Sequence, residues 1–140
     1  MNRYALTITA MGYTVVLQVV DIDSEAPAVP VSEPSASWRD VTGNDTVQPG
    51  MKLVWGPSGN EFAETTIQEQ QLITTGRIEL RLNDATRWLM FNPLQYKSDL
   101  GIATATDEAA LVAFKQYFIA VGEVKNQNTF PTINWPVAPF

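Results

Sequence analysis

The spacing of apolar residues changes near residue 63, and this change is the strongest constraint on the fold. Before it, residues 4–10 alternate between apolar and polar and residues 13–22 are rich in valine, with Gly12 as the predicted turn. After it, apolar residues recur every three or four positions, as on one face of a helix. We therefore predict an α+β protein. A small N-terminal antiparallel β-rich domain covers residues 1–62, and a C-terminal helical region with an extended proline- and tryptophan-containing tail covers residues 63–140.

More short strands are predicted inside the first block. Residues 27–34 contain three prolines, which cannot join the interior of a sheet and therefore indicate a surface loop or an edge segment. Strands are predicted at residues 38–42 and 51–55 because turn signals separate and follow them. A turn is predicted over residues 56–60, with Phe62 as the residue that anchors its exit.

Two helical segments are predicted in the second block. The first covers residues 64–91, although residues 77–82 alternate as a strand would, so the residues alone allow either structure. Its helical face would be Ile67, Gln71, Thr74, Ile78, Leu82, Ala85 and Leu89. Pro93 ends this segment. The next helix begins after Thr104 or Thr106, ends near Gly122, and carries an apolar stripe of Leu111, Phe114, Phe118 and Val121.

Composition argues against several classes of function. The chain has no cysteine, which excludes disulfides and thiolate metal sites, and no histidine, which removes the commonest general base at neutral pH. The net charge of −6 falls on residues 1–70, and a negative surface repels phosphate backbones. We expect no catalytic residues, no cofactor, no metal site and no nucleic-acid partner. No apolar run is long enough to cross a membrane and no signal peptide is evident, so we expect a cytoplasmic protein.

Candidate polar sites have plainer explanations. Asp21, Asp23 and Glu25 could bind a hard cation, but the spacing lacks the features of a known calcium loop and fits a solvated turn better. Asp107 and Glu108 fit the first turn of a helix better than acid–base chemistry.

Aromatic residues are the more informative candidates. We expect Trp88 and Trp135 to pack within the fold. Trp38 follows the proline-rich segment and Trp55 precedes a glycine turn, so these two, with Phe62, are our candidates for contacting a partner.

The last third of the chain resembles the C-terminal signature of bacteriophage tail fibre assembly proteins. The residues that carry the resemblance are Pro93-Leu94-Gln95, Leu100-Gly101-Ile102-Ala103-Thr104, Asp107-Glu108, Leu111, Phe114-Lys115-Gln116-Tyr117 and Trp135-Pro136. The resemblance covers residues 84–140 well and 36–62 loosely, and it favours the helix at 64–91. The chain departs from the family pattern at Phe114, Gln116, Phe118 and Tyr96-Lys97. These departures affect the surface and the packing more than the overall pattern, and they leave the identity of the partner open.

The resemblance implies a chaperone that binds the C-terminal region of a trimeric tail fibre protein and helps three chains fold in register. Such a protein acts in the host bacterial cytoplasm during virion assembly, and in some relatives it stays on the fibre tip. The alternative is a permanent tip or baseplate component that binds a host surface glycan. The sequence leaves open which fibre is the partner, the protein's own oligomeric state, and whether it comes from a phage, a prophage or a bacteriocin.

Overall fold

The computed structural model describes residues 1–57 and 59–140, with the side chains of all of these except residues 59 and 60. The described elements are β1 (Asn2–Ala10), β2 (Tyr13–Ile22), β3 (Ser37–Asp40), β4 (Lys52–Gly56), β5 (Gly59–Ala63), α1 (Ile67–Phe91), α2 (Leu94–Asp99) and α3 (Ala105–Glu123), followed by a 3₁₀ turn at Val124–Asn126. A strand-rich first part followed by helices confirms the predicted α+β class.

The five strands form one antiparallel sheet in the order β3-β1-β2-β4-β5. The hairpin of β1 and β2 is closed by Met11 and Gly12, whose φ angles are 53° and 80°. Two successive residues with positive φ match the twist of a two-residue hairpin turn, which confirms Gly12 as a turn residue. The predicted strands at 38–42 and 51–55 are also confirmed, each with its observed ends within two residues of the predicted ones.

Each face of the sheet has its own apolar cluster, because successive side chains on a strand point to opposite sides. The cluster on one face consists of Leu6, Ile8, Ala10, Val15, Ala36 and Ile73, with Tyr13, Leu17, Trp38 and Phe130 packed against it. Since Ile73 comes from α1, we call this the α1 face. The opposite face, which we call the Val47 face, has Ala5, Val16 and Val47 at its centre, with Val19, Val41 and Phe62 packed against them.

The start of α1 is fixed by a capping box that the sequence analysis missed. The Glu69 backbone N–H donates to Thr66 Oγ1 (3.1 Å), and the Thr66 N–H donates to Glu69 Oε1 (2.9 Å). The other carboxylate oxygen of Glu69 accepts a hydrogen bond from Lys52 Nζ at the base of β4. These bonds lower the pKa of Glu69, the Lys52 side chain being the largest cause and the Thr66 backbone the next.

The predicted helix at 64–91 is confirmed as one continuous helix, but its predicted apolar face is partly wrong. Ile67 is the first helical residue and is mostly exposed, whereas Ile73, which was not assigned to the face, is fully buried. Ile78 and Ala85 are buried as predicted. The difference arises because α1 meets the sheet at Ile73 and Gly76, a contact that periodicity along a single helix does not specify.

The second predicted helix is confirmed as α3. Thr104 caps it, with Asp107 N–H donating to Thr104 Oγ1 (3.1 Å) and Thr104 N–H donating to Asp107 Oδ2 (3.0 Å). Thr104 rather than Thr106 is therefore the N-cap, and the helix runs one residue past Gly122. The predicted stripe is corrected at one position, since Tyr117 is buried and Phe118 lies at the partly exposed edge.

The chain divides into two compact units. The first contains residues 1–76 and 128–133, and the second contains residues 77–127 and 134–140. The first unit carries nine acidic and three basic residues and thus the whole net charge of −6. The second unit carries six of each and is neutral.

Candidate partner-binding site

Trp55 and Phe62 lie on the same side of the β4–β5 hairpin. Leu53 is the direct cross-strand partner of Phe62, and Trp55 is two residues further along β4, so all three side chains leave the sheet on the Val47 face. Phe62 is half-buried against the cluster of that face. Trp55, in contrast, is 87% exposed. An exposed indole beside a half-buried ring makes an apolar surface on which a partner can pack.

Trp38 is not brought together with the other two candidates. It is the cross-strand partner of Leu6 and packs against the cluster of the α1 face, opposite Trp55 and Phe62. Its indole N–H donates to the carbonyl oxygen of Ala28 in the proline-rich segment (3.4 Å). This hydrogen bond connects the proline-rich segment to the edge strand β3.

A cleft with a volume of about 240 Å³ opens on the Val47 face beside Phe62. The residues that line it are Arg39, Asp40, Val41, Thr42, Asn44, Leu53 and Phe62. The Thr42 side chain, followed by its backbone N–H, forms hydrogen bonds with the Asp40 carboxylate and lowers the pKa of Asp40. The cleft therefore has both apolar and polar lining residues.

The sequence did not indicate Leu53 as a site residue or β5 as a strand. The predicted turn at 56–60 is corrected at both ends, because Gly56 closes β4 and Gly59 begins β5, while Ser58 lies outside the described residues. Pro57-Ser58 is not one of the dipeptides that mark a two-residue hairpin, so the sequence carried no strong signal for the pairing of β4 with β5.

Four residues of the C-terminal signature are buried in the second unit, namely Leu94, Leu111, Phe114 and Tyr117, whereas Leu100 and Ile102 are exposed. Phe140 stacks on Trp88 with ring centroids 4.9 Å apart and meets Tyr117 edge-on at 5.6 Å. The Arg81 guanidinium carbon Cζ lies 4.0 Å from the centroid of the Trp135 ring, close enough for a cation–π contact. The tail thus packs onto the helices, as expected for Trp88 and Trp135. Burial raises the pKa of Tyr117, which keeps its hydroxyl neutral.

Other kinds of site find no support in the described part of the chain. Among residues 1–57 and 59–140, no group of three or more acidic side chains is arranged to hold a metal ion. None of the described helices is both long enough and apolar enough to cross a membrane.

Comparison with known proteins points to one family. The family model for Caudovirales tail fibre assembly proteins, described as lambda gpK, matches residues 20–140. Searches of curated proteins and of solved structures found no significant match. The match spans most of the chain, including the hairpin with Trp55 and the whole aromatic cluster of the second unit, and the family is defined by assembly rather than by a reaction. On this evidence the chain belongs to the tail fibre assembly proteins of tailed bacteriophages.

Proposed function

We propose that this protein is a chaperone that binds the C-terminal region of a tail fibre polypeptide and promotes the correct trimerisation of three chains. Membership of the family supports a role in fibre assembly, and the proposal adds the mode of action. Trimeric fibres are rich in β-structure, and their unpaired strand edges are prone to aggregation until the three chains are in register. A protein that covers these edges during assembly in the host cytoplasm would raise the yield of folded trimer.

The exposed indole of Trp55 is the observation that carries the proposal. A tryptophan that is 87% exposed contributes little to the stability of its own fold, yet aromatic side chains of this kind dominate protein–protein interfaces. Phe62 and Leu53 extend the same apolar surface. Trp38 also remains a predicted contact, although it lies on the opposite face of the sheet.

Co-expression of this protein with a candidate tail fibre protein tests the proposal. We expect soluble, heat-resistant fibre trimer on a gel in the presence of this protein and little trimer in its absence. Trp55→Ala should lower the trimer yield at least about fivefold, as expected when a central interface residue is removed. Phe91→Ala is the matched control, because Phe91 is an aromatic residue of similar exposure in the second unit. If the fibre trimerises equally well alone, the chaperone proposal is wrong.

Analysis of purified particles distinguishes the alternative function. A permanent tip component would be found in stoichiometric amounts on purified particles, and particles lacking it would assemble but fail to bind the host glycan. A chaperone that leaves after assembly would be absent from the particles.

A further inference from the structure

The outer edge of β5 differs from the other edge of the sheet. In the strand order, β5 has one strand neighbour, β4, and β3 has one neighbour, β1. The four-residue strand β3 follows the segment that carries three prolines, and Trp38 of β3 is hydrogen-bonded to that segment. Prolines and short length are the usual means of blocking an edge. The five residues of β5 contain no proline, so backbone N–H and C=O groups along its outer side can accept another strand.

The β4–β5 hairpin joins the rest of the sheet beside β2. The Val16 N–H donates to the Met51 carbonyl oxygen and the Gly50 N–H donates to the Val16 carbonyl oxygen, each at 2.8 Å, just before β4 begins. The β2–β4 ladder contains one pair, Val15 with Lys52, whereas β4 and β5 are paired from Lys52–Ala63 to Gly56–Gly59. The base is held by the Lys52–Glu69 ion pair and by Thr65 Oγ1, which donates to the Gly50 carbonyl oxygen (2.8 Å). Because β5 is the last strand in the order of this five-stranded sheet, a strand added beside it would extend the sheet.

The side chains of β5 specify what the added strand should carry. Phe62 faces the apolar side with Leu53 and Trp55, while Glu61 is exposed on the other side. Residues of a neighbouring strand lie opposite these side chains and alternate in the same way. Apolar residues therefore complement Phe62, and lysine or arginine complements Glu61. The net charge of −6 on this unit adds long-range attraction for a basic segment.

We propose that the outer edge of β5 pairs with an extended segment of the fibre polypeptide in which apolar and basic residues alternate. This inference rests on the proposed chaperone function and adds the recognition mode and the partner's chemistry. Backbone hydrogen bonds supply affinity for an extended strand, and the Phe62 and Glu61 sides select its sequence.

Peptide binding to the whole chain tests the inference. The probe is a ten-residue peptide of alternating valine and lysine, compared with a valine–glutamate peptide and with a peptide that has the same valines and lysines in two blocks. We expect the alternating basic peptide to bind at least about tenfold more tightly than either comparison peptide. Backbone amide resonances of residues 61–63 should shift and gain protection from hydrogen exchange. Shifts confined to other parts of the chain, or equal binding of the block peptide, overturn the inference.

A charge reversal separates local recognition from the overall charge. Glu61→Lys should weaken binding of the valine–lysine peptide about fivefold and strengthen binding of the valine–glutamate peptide. The reason is that opposite charges facing each other across a strand pair attract, whereas like charges repel, and the resulting change in affinity is of about this size. Glu25→Lys makes the same change in net charge at an exposed position outside β5 and should change affinity less than about twofold. Equal effects of the two variants contradict pairing at β5. If the two variants have equal effects and the wild-type protein still supports fibre trimerisation, the strand-pairing inference fails while the chaperone function stands.

Discussion

Gly76 is the position at which replacing a glycine tests the packing of the first unit most directly. It lies inside α1, where glycine is about 1 kcal/mol less favourable than alanine, so propensity alone predicts that Gly76→Ala stabilises the protein. The structure predicts the opposite. A Cβ at residue 76 would lie 2.6 Å from Met11 Cγ, 3.1 Å from Ala10 Cβ and 3.2 Å from the Met11 backbone nitrogen.

The expected magnitude follows from these two opposing terms. Forcing a methyl group into a well-packed interior lowers stability by about 1–3 kcal/mol. The gain in helix propensity from glycine to alanine is only about 1 kcal/mol, so the net effect is a loss over most of that range. We expect Gly76→Ala to lower the free energy of unfolding by up to about 2 kcal/mol. Gly122→Ala is the matched control, because Gly122 also lies in a helix and no described atom outside its own helix turn lies within 4 Å of the added Cβ. That variant should be stabilised by up to about 1 kcal/mol.

Urea unfolding followed by circular dichroism measures both variants against the wild type. A double variant adds a second test, since Met11→Gly removes the closest atom and suits the positive φ at that position. Met11→Gly should therefore recover part of the stability lost in Gly76→Ala, with a coupling of about 0.5–3 kcal/mol. If Gly76→Ala proves as stable as Gly122→Ala, the close approach of α1 to the β1–β2 turn is wrong.

Three further predictions concern capping, the aromatic cluster and pH. Thr104→Ala removes the N-cap of α3 and should lower the free energy of unfolding by about 1 kcal/mol, measured by thermal or urea unfolding. Thr104→Ser keeps a hydroxyl at the N-cap and should retain most of that stability. Phe140→Ala should destabilise the second unit by about 1–2 kcal/mol and change the fluorescence of Trp88. Phe140→Leu should lose less stability. If Phe140→Ala unfolds like the wild type, the packing of Phe140 on Trp88 is wrong. The Lys52 side chain, and after it the Thr66 backbone N–H, lower the folded-state pKa of Glu69 below its ordinary value of 4.5, and the Thr104 backbone N–H lowers the pKa of Asp107 below 3.8. The stability that each carboxylate contributes is therefore present above its ordinary value and is lost as pH falls through the lowered pKa. Unfolding measured from pH 7 to pH 2 should show this loss, and the Glu69→Gln, Asp107→Asn double variant should show a flatter profile.

Local signals in the sequence determined much of the fold. The alternation in β1, the glycine at the β1–β2 turn and the threonine–aspartate cap of α3 act within a few residues of one another. Their outcome does not depend on distant contacts, which explains why these elements were predicted close to their observed bounds. The α+β class followed from the same local patterns.

Long-range contacts decided what the sequence left open or predicted wrongly. The residues at 77–82 suit a strand as well as a helix, and Ile73 became the buried residue of α1 because the helix contacts the sheet there. Likewise, the predicted stripe of α3 contained Phe118, whereas in the structure Tyr117 is the buried residue and meets the ring of Phe140 edge-on.

The candidate site shows the same division. The sequence by itself determined that the chain has aromatic residues suited to a partner and no cysteine or histidine for catalysis or metal binding. Only the tertiary structure decided that Trp55 and Phe62 share one face of a hairpin while Trp38 lies on the opposite face. The physical reason is that composition fixes the available chemistry, whereas the pairing register of strands far apart in the chain fixes which side chains meet on one surface.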